Sequence, residues 1–243
     1  MHKDGINVTD TTVRSFLMIG QSNMAGRGEF ADVEPIVNPL CYMLRNGRWQ
    51  KMSEPINPDR AIFDYKFHSG VSLGASFADQ AAKFFNAKVG MIPCADGGTK
   101  IDQWMPGELL YDHMLMMTRL AMRTSILSGI IWHQGESDAM ADDTVVAHKD
   151  KFIKMITSLR RDLGNESLPV IVGEISNDTG EDWNIGKRSL ILNKQYHEIA
   201  EEIPACAVVS AEGLTLKPDG VHFDAPSLRV FGRRYFEAYK KLL

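Results

Sequence analysis

Cysteine is scarce in this chain of 243 residues. Cys41, Cys94 and Cys206 are an odd number, widely spaced, with no Cys-x-x-Cys pair. This argues against a disulfide framework or a thiolate metal site and reads as reduced, buried thiols in a cytoplasmic protein. A single Cys41–Cys94 or Cys94–Cys206 bridge stays open. Long apolar runs are absent as well: no window reaches the ~18 residues that a membrane span needs. The first apolar run, Phe16 to Ile19, is too short for a signal-peptide core. There is no basic run either. Lys and Arg total 27 against 31 Asp and Glu, a net charge of −4, which makes a phosphate backbone a poor partner. Neither a membrane nor a nucleic acid is expected to bind. Repeats and low-complexity tracts are missing too.

What remains is the composition of an ordinary globular protein, 44% apolar and 24% charged, at a length one α/β unit can fill. Five short apolar runs stand out: Phe16–Ile19, Val89–Pro93, Gly129–His133, Pro169–Gly173 and Ala207–Ser210. Each lacks an in/out alternation, as expected for strands covered on both faces. Between them lie stretches of helical period, such as Leu73, Phe77, Ala81, Phe84 and Phe85, or Phe152, Ile156, Leu159 and Leu163. Leu228, Phe231, Tyr235 and Tyr239 form the last such stripe, and the segments 109–122 and 188–203 complete the set. Strand and helix alternating in this way predict one domain over residues 1–243. Its expected form is a three-layer, doubly wound, flavodoxin-like sheet of five parallel strands. Residues 31–70, with Pro35, Pro39, Pro55 and Pro58, follow neither period. They read as a loop insertion over one end of the sheet, with a hairpin at Asn46-Gly47.

In an open parallel sheet, ligands bind beyond the carboxyl ends of the strands. The residues following the runs are Gly20-Gln21-Ser22-Asn23-Met24, Asp96-Gly97-Gly98-Thr99, Gln134-Gly135-Glu136-Ser137-Asp138, Glu174 and, past a loop, Asp219-Gly220-Val221-His222. Small, polar and titratable residues therefore converge on one edge. Ser22 is the candidate nucleophile, with simple capping of a helix as the competing role. Asp219 and His222, three residues apart, can supply an orienting carboxylate and a base. Donors for an oxyanion are the backbone N–H groups of Ser22 and Gly98 (or Gly97) and the side-chain amide of Gln134. His133 ends the third run, as a polar core residue or a substrate contact.

Gly20-Gln21-Ser22-Asn23-Met24, Gly97-Gly98-Thr99, Trp132-His133-Gln134-Gly135-Glu136-Ser137-Asp138 and Asp219-Gly220-Val221-His222-Phe223 resemble the blocks of the SGNH hydrolases. More narrowly they resemble the sialate O-acetylesterase and acetylxylan esterase branch, carbohydrate esterase family six. The blocks keep their order and span residues 16 to about 235. The resemblance implies Ser22 as nucleophile, His222 as base and Asp219 as its orienter, with Gly98 and Gln134 joining the Ser22 amide in the oxyanion hole. It allows Glu136 as a second carboxylate partner of His222; a structural acid is the equal alternative. Gln21, Asn23, Thr99, Lys100, Trp104 and His133 are the expected substrate contacts. Lys100 departs from the small residue expected in its block and leaves room for a more acidic ester. The aromatics Trp49, Phe63, Tyr65, Phe67, Trp104 and Trp183 offer flat faces for a sugar, although packing is the commoner use of such rings.

The implied activity is a serine esterase that removes acetyl or other short acyl groups from a carbohydrate, such as a xylo-oligosaccharide or sialic acid. It requires no cofactor and no metal. Two alternatives use the same residues: a metal-dependent hydrolase with His133, Glu136, Asp138, Asp219 and His222 as ligands, and a non-catalytic sugar-binding module on the same fold.

Overall fold

The computed structural model describes residues 13–58 and 68–243. The first strand, β1 (Arg14–Gly20), alternates its side chains between two apolar layers. Phe16 and Met18 face one core, while Leu17 and Ile19 face the other, and all four are fully buried. Helices α2 (Leu73–Phe85) and α6 (Ala225–Lys240) cover the first face. Helices α3 (Leu109–Met122), α4 (Asp142–Asp162) and α5 (Arg188–Glu202) cover the second. A short helix α1 (Ser22–Ala25) follows β1 directly.

Local chemistry sets the ends of these helices. Asn86 closes α2 in the left-handed region, its N–H bonded to the Ala82 carbonyl. The Asp224 carboxylate caps α6 by accepting from the Ser227 N–H at 2.8 Å.

The five expected strands are present as β1, β4 (Val89–Pro93), β5 (Ile126–His133), β6 (Val170–Gly173) and β7 (Cys206–Val209), all mutually parallel. The sheet nevertheless has seven strands, in the order β3-β2-β4-β1-β5-β6-β7. The two additional strands, β2 (Cys41–Arg45) and β3 (Arg48–Lys51), come from the segment expected to be a loop insertion. β2 runs parallel to β4, and β3 turns back antiparallel at the edge, so the sheet is mixed rather than wholly parallel. Asn46 and Gly47, at φ of 51° and 73°, form the hairpin turn that their sequence predicts. Prolines flanking the segment conceal its strand character, but the buried side chains of Cys41 to Leu44 dictate the pairing.

From β1 the chain passes to β2, β3 and then β4 on one side, and crosses back to β5 on the other. β1 and β5 are hydrogen-bonded neighbours with Gly20 opposite His133. A crevice therefore opens beyond their carboxyl ends, between the segments that begin at Gln21 and Gln134. All three cysteines are free and buried. Among the described residues, no helix is long and apolar enough to cross a membrane.

Candidate active site

The turn out of β1 is as tight as the sequence suggests. Gly20 has a φ of 133°, and a Cβ there would lie 2.0 Å from the His133 carbonyl oxygen, so only glycine fits. The Gln21 N–H donates to that same carbonyl at 2.9 Å. Ser22 thus starts α1 at the head of the crevice.

The second part of the site is the loop before α6. The Lys217 N–H bonds to the His222 carbonyl at 2.7 Å, and Gly220, with a φ of 73°, returns its N–H to the Lys217 carbonyl at 2.9 Å. Pro218 presets the turn that presents Asp219 and His222 on one side. His222 Nε2 lies 2.9 Å from Ser22 Oγ, and His222 Nδ1 lies 2.9 Å from Asp219 Oδ2. Asp219 Oδ1 accepts from the N–H groups of Val221 and His222, each at 3.0 Å. Partial burial pushes the Asp219 carboxyl up, but the N–H and ring of His222 and the Val221 N–H outweigh it, holding the group below the usual carboxylate range. Trp183 closes the outside of this loop. Its indole N–H donates to the Asp219 carbonyl at 2.7 Å, and its ring meets the His222 ring edge-on at 6.2 Å.

A cavity of about 200 Å³ opens over Ser22. Gln21, Gly97, Gly98, Glu136, Ser137 and His222 supply its polar lining, Met140, Trp183 and Val221 an apolar wall, and Arg27 a cationic edge. No described residue accepts a hydrogen bond from the Ser22 or Gly98 N–H. The sequence reading missed Arg27, Ser137, Met140 and Val221 as lining residues. Ser137 and Val221 lie inside the recognised blocks and were within reach of it, whereas nothing in the sequence marks Arg27 or Met140.

Several expected contacts lie behind the cavity rather than in it. Asn23, 1% exposed, spends its whole amide inside the protein. It donates to Glu136 Oε1 at 2.6 Å and to the Val221 carbonyl at 3.1 Å, and it accepts from the Phe223 N–H at 3.0 Å. It therefore grips the chain on both sides of His222. His133 is fully buried between Tyr235 and Glu136, at 3.3 and 3.2 Å. Thr99 and Trp104 are buried and bonded to each other at 3.0 Å, and Lys100 lies outside the lining. Trp49 packs into the core and donates to Thr124 at 3.0 Å. Of the aromatics considered as sugar platforms, Trp183 alone among the described residues lines the cavity. Phe63, Tyr65 and Phe67 lie outside the described residues.

Two further expectations meet a different geometry. Glu136 bonds to Asn23 and His133 and makes no hydrogen bond to His222, which it supports only through Asn23. Burial pushes its carboxyl up, but neighbouring His133 and the bonds from His133 and Asn23 outweigh that and hold it below the ordinary range. Gln134 is fully buried, and its Nε2 faces the Thr99 carbonyl at 2.9 Å, Asp138 and Gln21 Oε1 at 3.2 Å. Its N–H groups are turned away from the cavity. The five side chains considered as metal ligands do not converge either: His133 pairs with Glu136 and His222 with Asp219, while Asp138 bonds elsewhere. Asp138 is fully buried and accepts from the Ile101 N–H at 3.0 Å. Among the described residues, no group of three or more His, Cys, Asp or Glu side chains is placed to hold an ion.

A sheet of this order, delivering a serine from its first parallel strand to a histidine and an aspartate at the end of the fold, has the architecture of the SGNH-like hydrolases. The comparisons with known proteins narrow that class. The chain belongs to the family described as "Carbohydrate esterase, sialic acid-specific acetylesterase", whose model matches residues 12–241. It is 30% identical over 243 residues to the "Probable carbohydrate esterase At4g34215" of Arabidopsis thaliana, covering 92% of this chain and 89% of the relative. The solved structure of the Arabidopsis thaliana protein superimposes with a TM-score of 0.83 at 26% identity, covering 95% of this chain and 98% of that one. NanS has the same fold, with a TM-score of 0.75 at 19% identity and coverage of 97% and 98%. So does a carbohydrate acetylesterase from Xanthomonas citri, with a TM-score of 0.66 at 18% identity, covering 94% of this chain and 56% of that one. As a member of this family, the chain is an esterase.

Proposed function

We propose that the chain hydrolyses acetyl and other short acyl esters of a carbohydrate, such as a xylo-oligosaccharide or a sialic acid, through an acyl-enzyme on Ser22. The observation that carries this reading is the continuous relay from Ser22 Oγ through His222 to Asp219, with both steps at 2.9 Å, opening into a cavity. With its proton on Nδ1, donated to Asp219, His222 presents a lone pair at Nε2 to the serine hydroxyl.

Ser22 Oγ attacks the ester carbonyl carbon while its proton passes to His222 Nε2. The oxyanion that forms is met by the N–H groups of Ser22 and Gly98. The carbon–oxygen bond to the sugar then breaks, and His222 returns the proton to the departing sugar oxygen. Water repeats the attack on the acyl-Ser22 ester, with His222 again taking the proton. Collapse frees the carboxylic acid and restores the serine. The apolar wall of Met140, Trp183 and Val221 suits a short acyl chain, and the Trp183 ring offers a sugar a flat face.

The test measures acetate release from acetylated sugars by wild type and by Ser22→Ala, with and without EDTA. Removal of the nucleophile should cost at least about 10⁴-fold in kcat, with no response to EDTA. A Ser22→Ala protein retaining activity within tenfold of wild type would overturn the reading. EDTA-sensitive turnover surviving in that variant would favour metal-assisted hydrolysis.

A further inference from the structure

Gln21 is buried to 3% exposure, lines the cavity beside Ser22, and has an amide whose orientation is settled from behind. Its Oε1 accepts from the backbone N–H groups of Gly135 and Ser137, each at 3.3 Å, and from Gln134 Nε2 at 3.2 Å. Backbone N–H groups can only donate, so the oxygen must face them and the nitrogen must face the other way. No described residue accepts from Gln21 Nε2, and this atom is absent from the buried unpartnered groups, so it opens onto the cavity. Gln134 is the converse. Its nitrogen is committed to the Thr99 carbonyl and the Asp138 carboxylate, and its sealed Oε1 is left without a donor. Turning that amide over would set its oxygen against three acceptors, the Thr99 carbonyl, the Asp138 carboxylate and Gln21 Oε1.

We infer that Gln21, and not Gln134, supplies the side-chain donor to the oxyanion, beside the N–H groups of Ser22 and Gly98. The inference rests on the reading of Ser22 as nucleophile. The residues then form a chain: Asp138 holds Gln134, Gln134 and the 135–137 backbone hold the Gln21 oxygen, and the Gln21 N–H groups face the reacting carbonyl. Gln21 is thereby a catalytic residue and Gln134 a positioning one. A donor preset in this way needs no reorganisation as negative charge develops.

The experiment measures kcat, KM and Tm on p-nitrophenyl acetate for wild type, Ser22→Ala, Gln21→Glu and Gln21→Met. Gln21→Glu keeps an oxygen for the Gly135 and Ser137 N–H groups, removes the donor and adds a negative charge, for which the uncharged Gln21→Met is the control. Its kcat should fall by about 10²–10³-fold, with KM within about threefold of wild type and Tm nearly unchanged. A role confined to supporting the 135–137 backbone would leave Gln21→Glu active, because that acceptor survives. Gln21→Met removes the donor without adding charge, should lose kcat similarly, and decides the matter if Gln21→Glu fails to fold. Retention of kcat within threefold by a folded variant, with Ser22→Ala inactive, would overturn the Gln21 assignment alone. Wild type turning over no faster than Ser22→Ala would overturn the esterase reading and this inference together.

Discussion

The loop after β5 and the loop before α6 carry the polar residues of the site in opposite ways. The first, residues 134–138, is sealed at its ends: Gln134 and Asp138 are fully buried and their side chains bond to other protein groups. Glu136 and Ser137 between them are buried but reach the cavity lining. Residues 217–222 face solvent, with the Asp219 side chain 37% and the His222 side chain 14% exposed. Chemistry on an ester requires access, which a sealed loop cannot provide. An exposed loop, however, wanders unless something fixes it. Asn23 connects the two by binding Glu136 on the buried side and clasping Val221 and Phe223 around His222 on the open side. The sealed loop is the source of rigidity and the open loop the place where that rigidity is used.

Cutting the link should have the largest effect on this division. Asn23→Ala leaves Glu136 Oε1, the Val221 carbonyl and the Phe223 N–H short of a partner, at a cost of about 2–4 kcal/mol. Chemical denaturation should register that loss. With His222 released, kcat should fall a further roughly 10- to 100-fold even where the variant is fully folded.

Changing the sealed side alone should show in pH dependence. The Glu136 carboxyl is held below its ordinary value, so its contribution to stability is complete above the unfolded pKa of about 4.3. That contribution disappears as pH falls through the lower folded value. Glu136→Gln should therefore be less stable than wild type at pH 7, and the difference in Tm should narrow as the solution is acidified below about pH 4. A constant difference across that window would separate Glu136 from the scaffold. On the open side, Trp183→Leu removes the indole bond to the Asp219 carbonyl and the ring edge against His222. Being peripheral, it should lower kcat/KM by only about fivefold, equivalent to ~1 kcal/mol.

The same contrast explains what could be read from sequence. The five parallel strands were legible because each is a short apolar run covered on both faces, and the position after each run marked the functional edge. Ser22, Asp219 and His222 were legible because their types and places in the chain suit one chemistry, and the fold brings them together at 2.9 Å. Strands β2 and β3 were not, since prolines on either side mask them and only the Asn46-Gly47 turn gives a signal. The roles within the block from Trp132 to Asp138 were also hidden. A buried glutamine and a cavity-lining glutamine look alike in sequence; what separates them is that Gln21 turns its oxygen inward to the Gly135 and Ser137 N–H groups, whereas Gln134 turns its nitrogen inward to Thr99 and Asp138. Asn23 was similarly ambiguous, because residue type cannot tell a substrate contact from a clasp whose partners lie 113 to 200 positions away.

The most direct test is covalent. An organophosphonate serine-hydrolase probe, followed by intact-mass analysis and peptide mapping, reads out which hydroxyl is activated. Wild type should gain a single adduct on Ser22, and Ser22→Ala should gain none. An adduct on another residue, or equal labelling of Ser22→Ala, would contradict the assignment of Ser22 as the nucleophile served by His222 and Asp219.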